Sequence, residues 1–250
     1  MKRRDFLAAT GAVGTMGAVD YTLRPPDRAV DVRVWLSERA ARYGSLRSRI
    51  TGYVARAFER SGLRARITFA DTVDVSTEDA YQLLAGLEWP ETLLTSVGDA
   101  AGPVDGVNLL VTDGDMTRTP SGGGVRHVAA IGGASSIAQM PPASDEPTVV
   151  PYSNRALVTQ VLLHECGHAL DLRHEDGAVR STDDGHVVTP MVSAYAWAAH
   201  SVRDREFRVE RSSCGQPIPT LDGQSRLQLA YSECATRRLQ RRRGFSPDRR

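Results

Sequence analysis

The run His164-Glu165-Cys166-Gly167-His168-Ala169-Leu170-Asp171-Leu172-Arg173-His174 constrains this chain more than any other stretch of it. It follows Leu157, Val161, Leu162 and Leu163, an apolar series that opens at Asn154 and predicts a buried helix running on to Leu170. Residues four apart share one face of a helix, so His164 and His168 can offer imidazole nitrogens to a single metal ion. The plain alternative is a solvated helix that carries two unrelated histidines. The apolar flanks disfavour it, because idle polar rings on a buried helix are costly. Glu165 follows the first ligand and stands beside the ion without having to bind it. Zinc held by three protein groups keeps a fourth position for water, lowers the pKa of that water to about 7, and leaves a neighbouring carboxylate to take the proton. One catalytic zinc ion is therefore the expected cofactor.

His174, six residues after His168, is the candidate third ligand. His-Glu-x-x-His followed by this histidine resembles the metzincin zinc endopeptidases, whose longer motif is His-Glu-x-x-His-x-x-Gly-x-x-His. The resemblance implies a sharp turn at the glycine position, which here is Asp171. A left-handed residue there is easiest for Gly, and Asp tolerates it better than most. Should the turn not form, another group such as Asp171 itself would complete the ligand set. Thr189-Pro190-Met191-Val192-Ser193-Ala194-Tyr195 looks like the methionine turn of that family, with Met191 flooring the site and Val192 to Trp197 walling a substrate pocket. Tyr195 is by the same resemblance a catalytic residue that steadies the charged oxygen of the tetrahedral intermediate. A Met after a Pro is otherwise more often plain core. The implied fold is an α+β, metzincin-like zincin fold: a mixed twisted sheet, a long helix and a central active-site helix. The implied activity is that of a zinc metalloendopeptidase, with polypeptide as substrate bound along an edge strand, either Val125 to Ile131 or Gly132 to Met140. The rivals are a zinc hydrolase of a non-peptide amide or ester, and a non-catalytic zinc-stabilised binding protein.

The order of elements agrees with a mixed sheet and helices, α+β or α/β. Strands are expected over Val30–Leu36, Arg66–Val73, Val107–Thr112, Val125–Ile131 and Val149–Tyr152. A long helix capped by Ser37 runs to about Arg60, and a short one from Thr77 is stopped by Gly86. Ser121-Gly122-Gly123-Gly124 reads as a flexible turn, and Ser225 to Arg243 as a terminal helix. His127, His186 and His200 read as surface or loop residues. Asp183-Asp184-Gly185 before His186 is a place where calcium or a second zinc could bind, although a solvated turn is the commoner meaning of such a loop.

The ends of the chain carry a different message. Lys2-Arg3-Arg4-Asp5-Phe6-Leu7 precedes a short apolar run rich in Ala and Gly, the pattern of an export signal over residues 1–19. Its Arg-Arg-x-Phe-Leu order resembles a twin-arginine signal. A secreted or extracytoplasmic protein is expected, with no stable membrane anchor because the run is too short to span a bilayer. The catalytic domain is placed at 28–205, followed by a C-terminal helical extension with a basic tail at 206–250. That tail holds seven arginines between Arg237 and Arg250, most simply a solvated terminus. A formal net charge of +1 predicts no strong attraction to nucleic acid. Among three cysteines, Cys214 and Cys234 could close a modest loop and Cys166 reads as a buried thiol, with pairing of Cys166 to either of the others left open by the sequence.

Overall fold

The computed structural model describes residues 29–98, 102–116, 121–183, 185–192, 209–219 and 224–242. The export signal, Tyr195, His200 and the arginines beyond Arg242 lie outside those residues. Alternation of apolar and polar side chains makes Ala29–Ser37 a strand, β1, with Val30, Val32 and Val34 buried on one face. It pairs in parallel with β2 (Arg64–Val73) and β3 (Val107–Val111). The fully buried β3 is flanked in turn by β5 (Val128–Ile131), also parallel. β4 (Gly122–Val125) runs antiparallel to β5 and closes the sheet, in the order β2-β1-β3-β5-β4.

Helix α1 (Leu46–Arg60) lays Leu46, Ile50, Tyr53, Val54, Ala57 and Phe58 onto one face of this sheet. The opposite face is covered by α2 (Ala80–Ala85) and α3 (Glu88–Thr95), where Trp35 and Trp89 meet edge to face at 5.1 Å. Asp79 caps α2 by accepting from the Tyr81 and Gln82 amides. A short helix, α4 (Ala134–Ala138), precedes α5 (Asn154–Ala169), which shares the core of α1 through Val158, Val161 and Leu162. Ser153 caps α5 through the Ala156 amide.

A second mixed sheet holds β6 (Val149–Pro151), β7 (Val179–Thr182), β8 (Gly185–Val188) and β9 (Gln224–Gln228), in the order β6-β9-β8-β7. Only the β8–β9 pair in it is parallel. Helix α6 (Glu233–Arg242) follows, and Leu227, Leu229, Tyr231 and Leu239 join the main core. Gln160 on α5 ties the two layers together, donating to the Val188 and Gln228 carbonyls at 2.7 and 2.8 Å. Among the described residues, no helix is long and apolar enough to cross a membrane.

Four local expectations change. The helix expected from Ser37 begins at Leu46; Ser37 ends β1, and its hydroxyl accepts from Ala40 at the head of a 3₁₀ turn, Ala40–Arg42. Tyr43 is extended there and donates to Asp113 at 2.8 Å, which breaks the helical run. The triple glycine is a strand rather than a flexible turn. Arg126 and His127 form the hairpin tip, so Val125–Ile131 is two strands rather than one. Ser225–Gln228 is strand too, and the terminal helix starts only at Glu233.

Candidate metal centre

Helix α5 and the turn after it bring His164, His168 and His174 together. His168 Nε2 lies 2.9 Å from His164 Nε2 and 3.2 Å from His174 Nε2. The first spacing follows from helix geometry, since positions i and i+4 stack on one face. The second depends on the turn. Asp171 adopts φ 60°, a left-handed conformation of the kind that the resemblance led one to expect there. With that residue turned back, the Leu172 amide donates to the Gly167 carbonyl at 2.9 Å, and the chain leaves the helix toward His174. His174 opens a second 3₁₀ turn, His174–Asp176.

Both helix-borne rings are oriented from behind. His164 Nδ1 donates to the Pro190 carbonyl at 2.6 Å, and His168 Nδ1 to the Leu172 carbonyl at 2.9 Å. Each ring's proton is thereby spent on the backbone, and each Nε2 lone pair faces the centre of the triad, the usual device for orienting metal-binding imidazoles. Lone pairs this close repel one another unless a cation lies between them. Tetrahedral zinc at ~2.05 Å from each nitrogen sets its ligands about 3.3 Å apart, close to the spacings found here. Burial, first of all, lowers the affinity of these rings for protons. It holds His164 well below the usual histidine range, lowers His168, and brings His174 down to about 4, with the neighbouring imidazoles adding to the effect at His164 and His174. Three neutral imidazoles are the donor set a zinc ion takes. Among the described residues, this triad is the group of His, Cys, Asp or Glu side chains with metal-ligating spacing.

Glu165 is 6% exposed, and its Oε2 has no hydrogen-bond partner among the described residues. Burial pushes its carboxyl up to about 8. β4 lies directly over it: a Cβ on Gly122 would stand 3.1 Å from Glu165 Oε1, and one on Gly124 would stand 2.7 Å from the Glu165 carbonyl and from His168 Cβ. Side chains at those two places would push strand and helix apart. This explains the glycines that read as a flexible turn in the sequence. Beneath the helix, Met191 is buried at 1% exposure on the 3₁₀ turn Pro190–Val192, and its Sδ occupies the space where a Cβ on Gly167 would go. Met191 thus packs beneath the helix, and the Pro190 carbonyl holds the first histidine.

The expected edge strand needs correction. Val128–Ile131 lies inside the sheet, between β3 and β4, and Ala134–Ala138 is helical. The edge on this side of the sheet is Gly122–Val125, with Arg64–Val73 at the other. His127 lies in a loop as expected, at the hairpin tip, but at φ 69° with its side chain only 14% exposed, and its amide donates to the Ala169 carbonyl at the end of α5 (2.8 Å). Asp183 follows β7, and the described residues place no ligand set for calcium there; Asp184 lies outside them. Tyr195 and the wall expected from 193 to 197 also lie outside them. A cleft of about 700 Å³ opens beside Ser121, lined by Glu78, Asp79, Asp113 and Asp115, and none of the three histidines borders it.

Several contributors were not singled out from the sequence. Gln160, one helical turn before His164, is a polar residue in an apolar series, and that anomaly was a usable signal. Tyr231 donates to the Leu163 carbonyl at 2.8 Å and steadies the helix beside the first ligand. Cys166 is buried and free, its thiol pushed up to about 12 by burial, while Cys214 and Cys234 form a disulfide, as their positions suggested.

No family model matches the sequence, and no curated protein does. A solved structure that resembles the chain is archaemetzincin from Methanopyrus kandleri, at 16% identity and a TM-score of 0.45 over 88% of this chain and 98% of that one.

Proposed function

We propose that the chain is an exported zinc endopeptidase in which His164, His168 and His174 hold the metal and Glu165 is the general base. The observation that carries the reading is the convergence of three imidazole Nε2 atoms, two of them oriented by backbone carbonyls, beside a buried carboxylate with an unpartnered oxygen. A bound zinc ion would supply Lewis acidity, polarising a carbonyl and lowering the pKa of a coordinated water to about 7.

The chain's own residues do the rest. Glu165 Oε2 would take a proton from water and pass it to the leaving amine. Its raised pKa favours keeping that proton between the two steps, and a divalent cation nearby would draw the value down toward neutrality. The outer edge of β4 has no pairing strand among the described residues, so an extended polypeptide can add there as a further strand. Tyr195 keeps the role proposed from the methionine-turn resemblance. Export is supported by the basic, short apolar N-terminus and by the Cys214–Cys234 disulfide, a crosslink typical of oxidising compartments.

The test is Glu165→Gln. Zinc should remain bound at one equivalent, while cleavage of casein or a mixed peptide library falls by about 10²–10⁴. Retained turnover would sink the assignment of the base. Hydrolysis of amide or ester probes with no peptide cleavage by the unaltered chain would favour the non-peptide hydrolase.

A further inference from the structure

The turn that bears His174 ends on Asp176, a carboxylate only 1% exposed. Its Oδ2 accepts from the Arg173 amide at 2.8 Å and pairs with Arg238 at 3.2 Å, and its Oδ1 accepts from the Ser213 hydroxyl at 2.8 Å. The Asp176 carbonyl accepts from the Ser232 hydroxyl, and the Glu175 carbonyl from the Ser213 amide. Apart from the Arg173 amide, these donors come from the C-terminal part of the chain. Ser213 adjoins Cys214, Ser232 lies two residues before Cys234, and Arg238 lies one helical turn after it. The Cys214–Cys234 disulfide therefore joins the two segments that grip the same turn.

We infer that Asp176 is a positioning residue for the third metal ligand, and that the disulfide-linked C-terminal segment is thereby part of the metal centre. This rests on the metal-site reading above. A buried carboxylate is expensive unless its partners are all in place. Asp176 thus has one favourable position, and His174, two residues back on the same tight turn, is carried to the triad with it. His164 and His168 need no such help, because a helix sets their spacing.

The experiment uses the full chain, stripped of metal and titrated with zinc against a chromophoric chelator, and then with cobalt to read the visible ligand-field spectrum. Asp176→Asn and the double variant Cys214→Ser/Cys234→Ser should each weaken zinc about 10–100-fold, the range for residues that orient a ligand. Their cobalt spectra should move toward that of His174→Ala. A merely structural role would lower the melting temperature and leave the spectrum at saturating cobalt unchanged. If Asp176→Asn does not fold, Arg238→Ala, at a partly exposed position, should show a smaller shift in the same direction. Unaltered zinc affinity and cobalt spectrum in the variants that fold would overturn the inference alone. An unaltered chain that takes up no zinc would overturn the metal reading, and this inference with it.

Discussion

The first two histidines and the third are held by different means. His164 and His168 sit on α5, whose cap at Ser153 and repeating hydrogen bonds set their spacing over a few residues of sequence. His174 sits after a left-handed Asp171, on a short turn secured by groups as far along the chain as Arg238. A site can thus combine a rigid local half with a half that depends on tertiary contacts. The second half is where stability and metal affinity should be most tightly coupled.

That contrast can be broken most directly at the ligands themselves. His164→Ala or His168→Ala should weaken zinc by about a hundredfold or more, roughly one ligand's share of the total binding energy. His174→Ala should cost less, because its turn must be ordered to bind. Chelator competition measures all three, and equal losses would erase the distinction. On the rigid side, Gly124→Ala should destabilise by about 1–3 kcal/mol, since the new Cβ meets backbone. Gly123→Ala should cost less, because its Cβ would meet the mobile end of Leu84. Thermal melts of the pair would show whether strand and helix can separate cheaply.

The electrostatics of the helix give a test in pH. The Glu165 carboxyl is raised from 4.5 to about 8 in the folded chain, so between those values the native state binds more protons than the unfolded one, and stability falls as pH rises. The three histidines are lowered, so their contribution grows with pH only up to the ordinary value of 6.5 and is complete above it. Between pH 6.5 and 8 the metal-free protein should therefore lose on the order of 1–2 kcal/mol on account of Glu165. Denaturant titrations across that window should show the loss in the unaltered protein and a flat profile in Glu165→Gln. The smallest effect belongs to the turn: Asp171→Ala should cost about 1 kcal/mol through its left-handed backbone, and Asp171→Gly should not. A lower melting temperature for the glycine variant as well would show that the carboxylate, which lies 3.9 Å from Arg126, matters more than the conformation.

Legibility in the sequence follows the same division. α5, and the meeting of His164 and His168 on one of its faces, were readable because a helix converts spacing into geometry. β1, β2 and β3 were readable from alternation or from a continuous apolar run. The glycine strand was misread because its glycines answer to the helix beneath them, a partner forty residues away in sequence. Three strands of the second sheet were missed for a similar reason, although β6 was expected: β7, β8 and β9 are short, and β9 reaches its partners only after a long excursion. Asp176 gave no motif at all, since it is defined by what folds around it, and Gln160 gave only a polar break in an apolar series.

The bare backbone of β4 has one more consequence. Gly122, Gly123 and Gly124 leave that wall of the site without side chains, so a peptide laid along it would meet only amides and carbonyls. Those groups are the same whatever the peptide's sequence. On the proposed reading, this wall would align a substrate while remaining blind to its residues, and discrimination between one cleavage point and another would fall to other parts of the site.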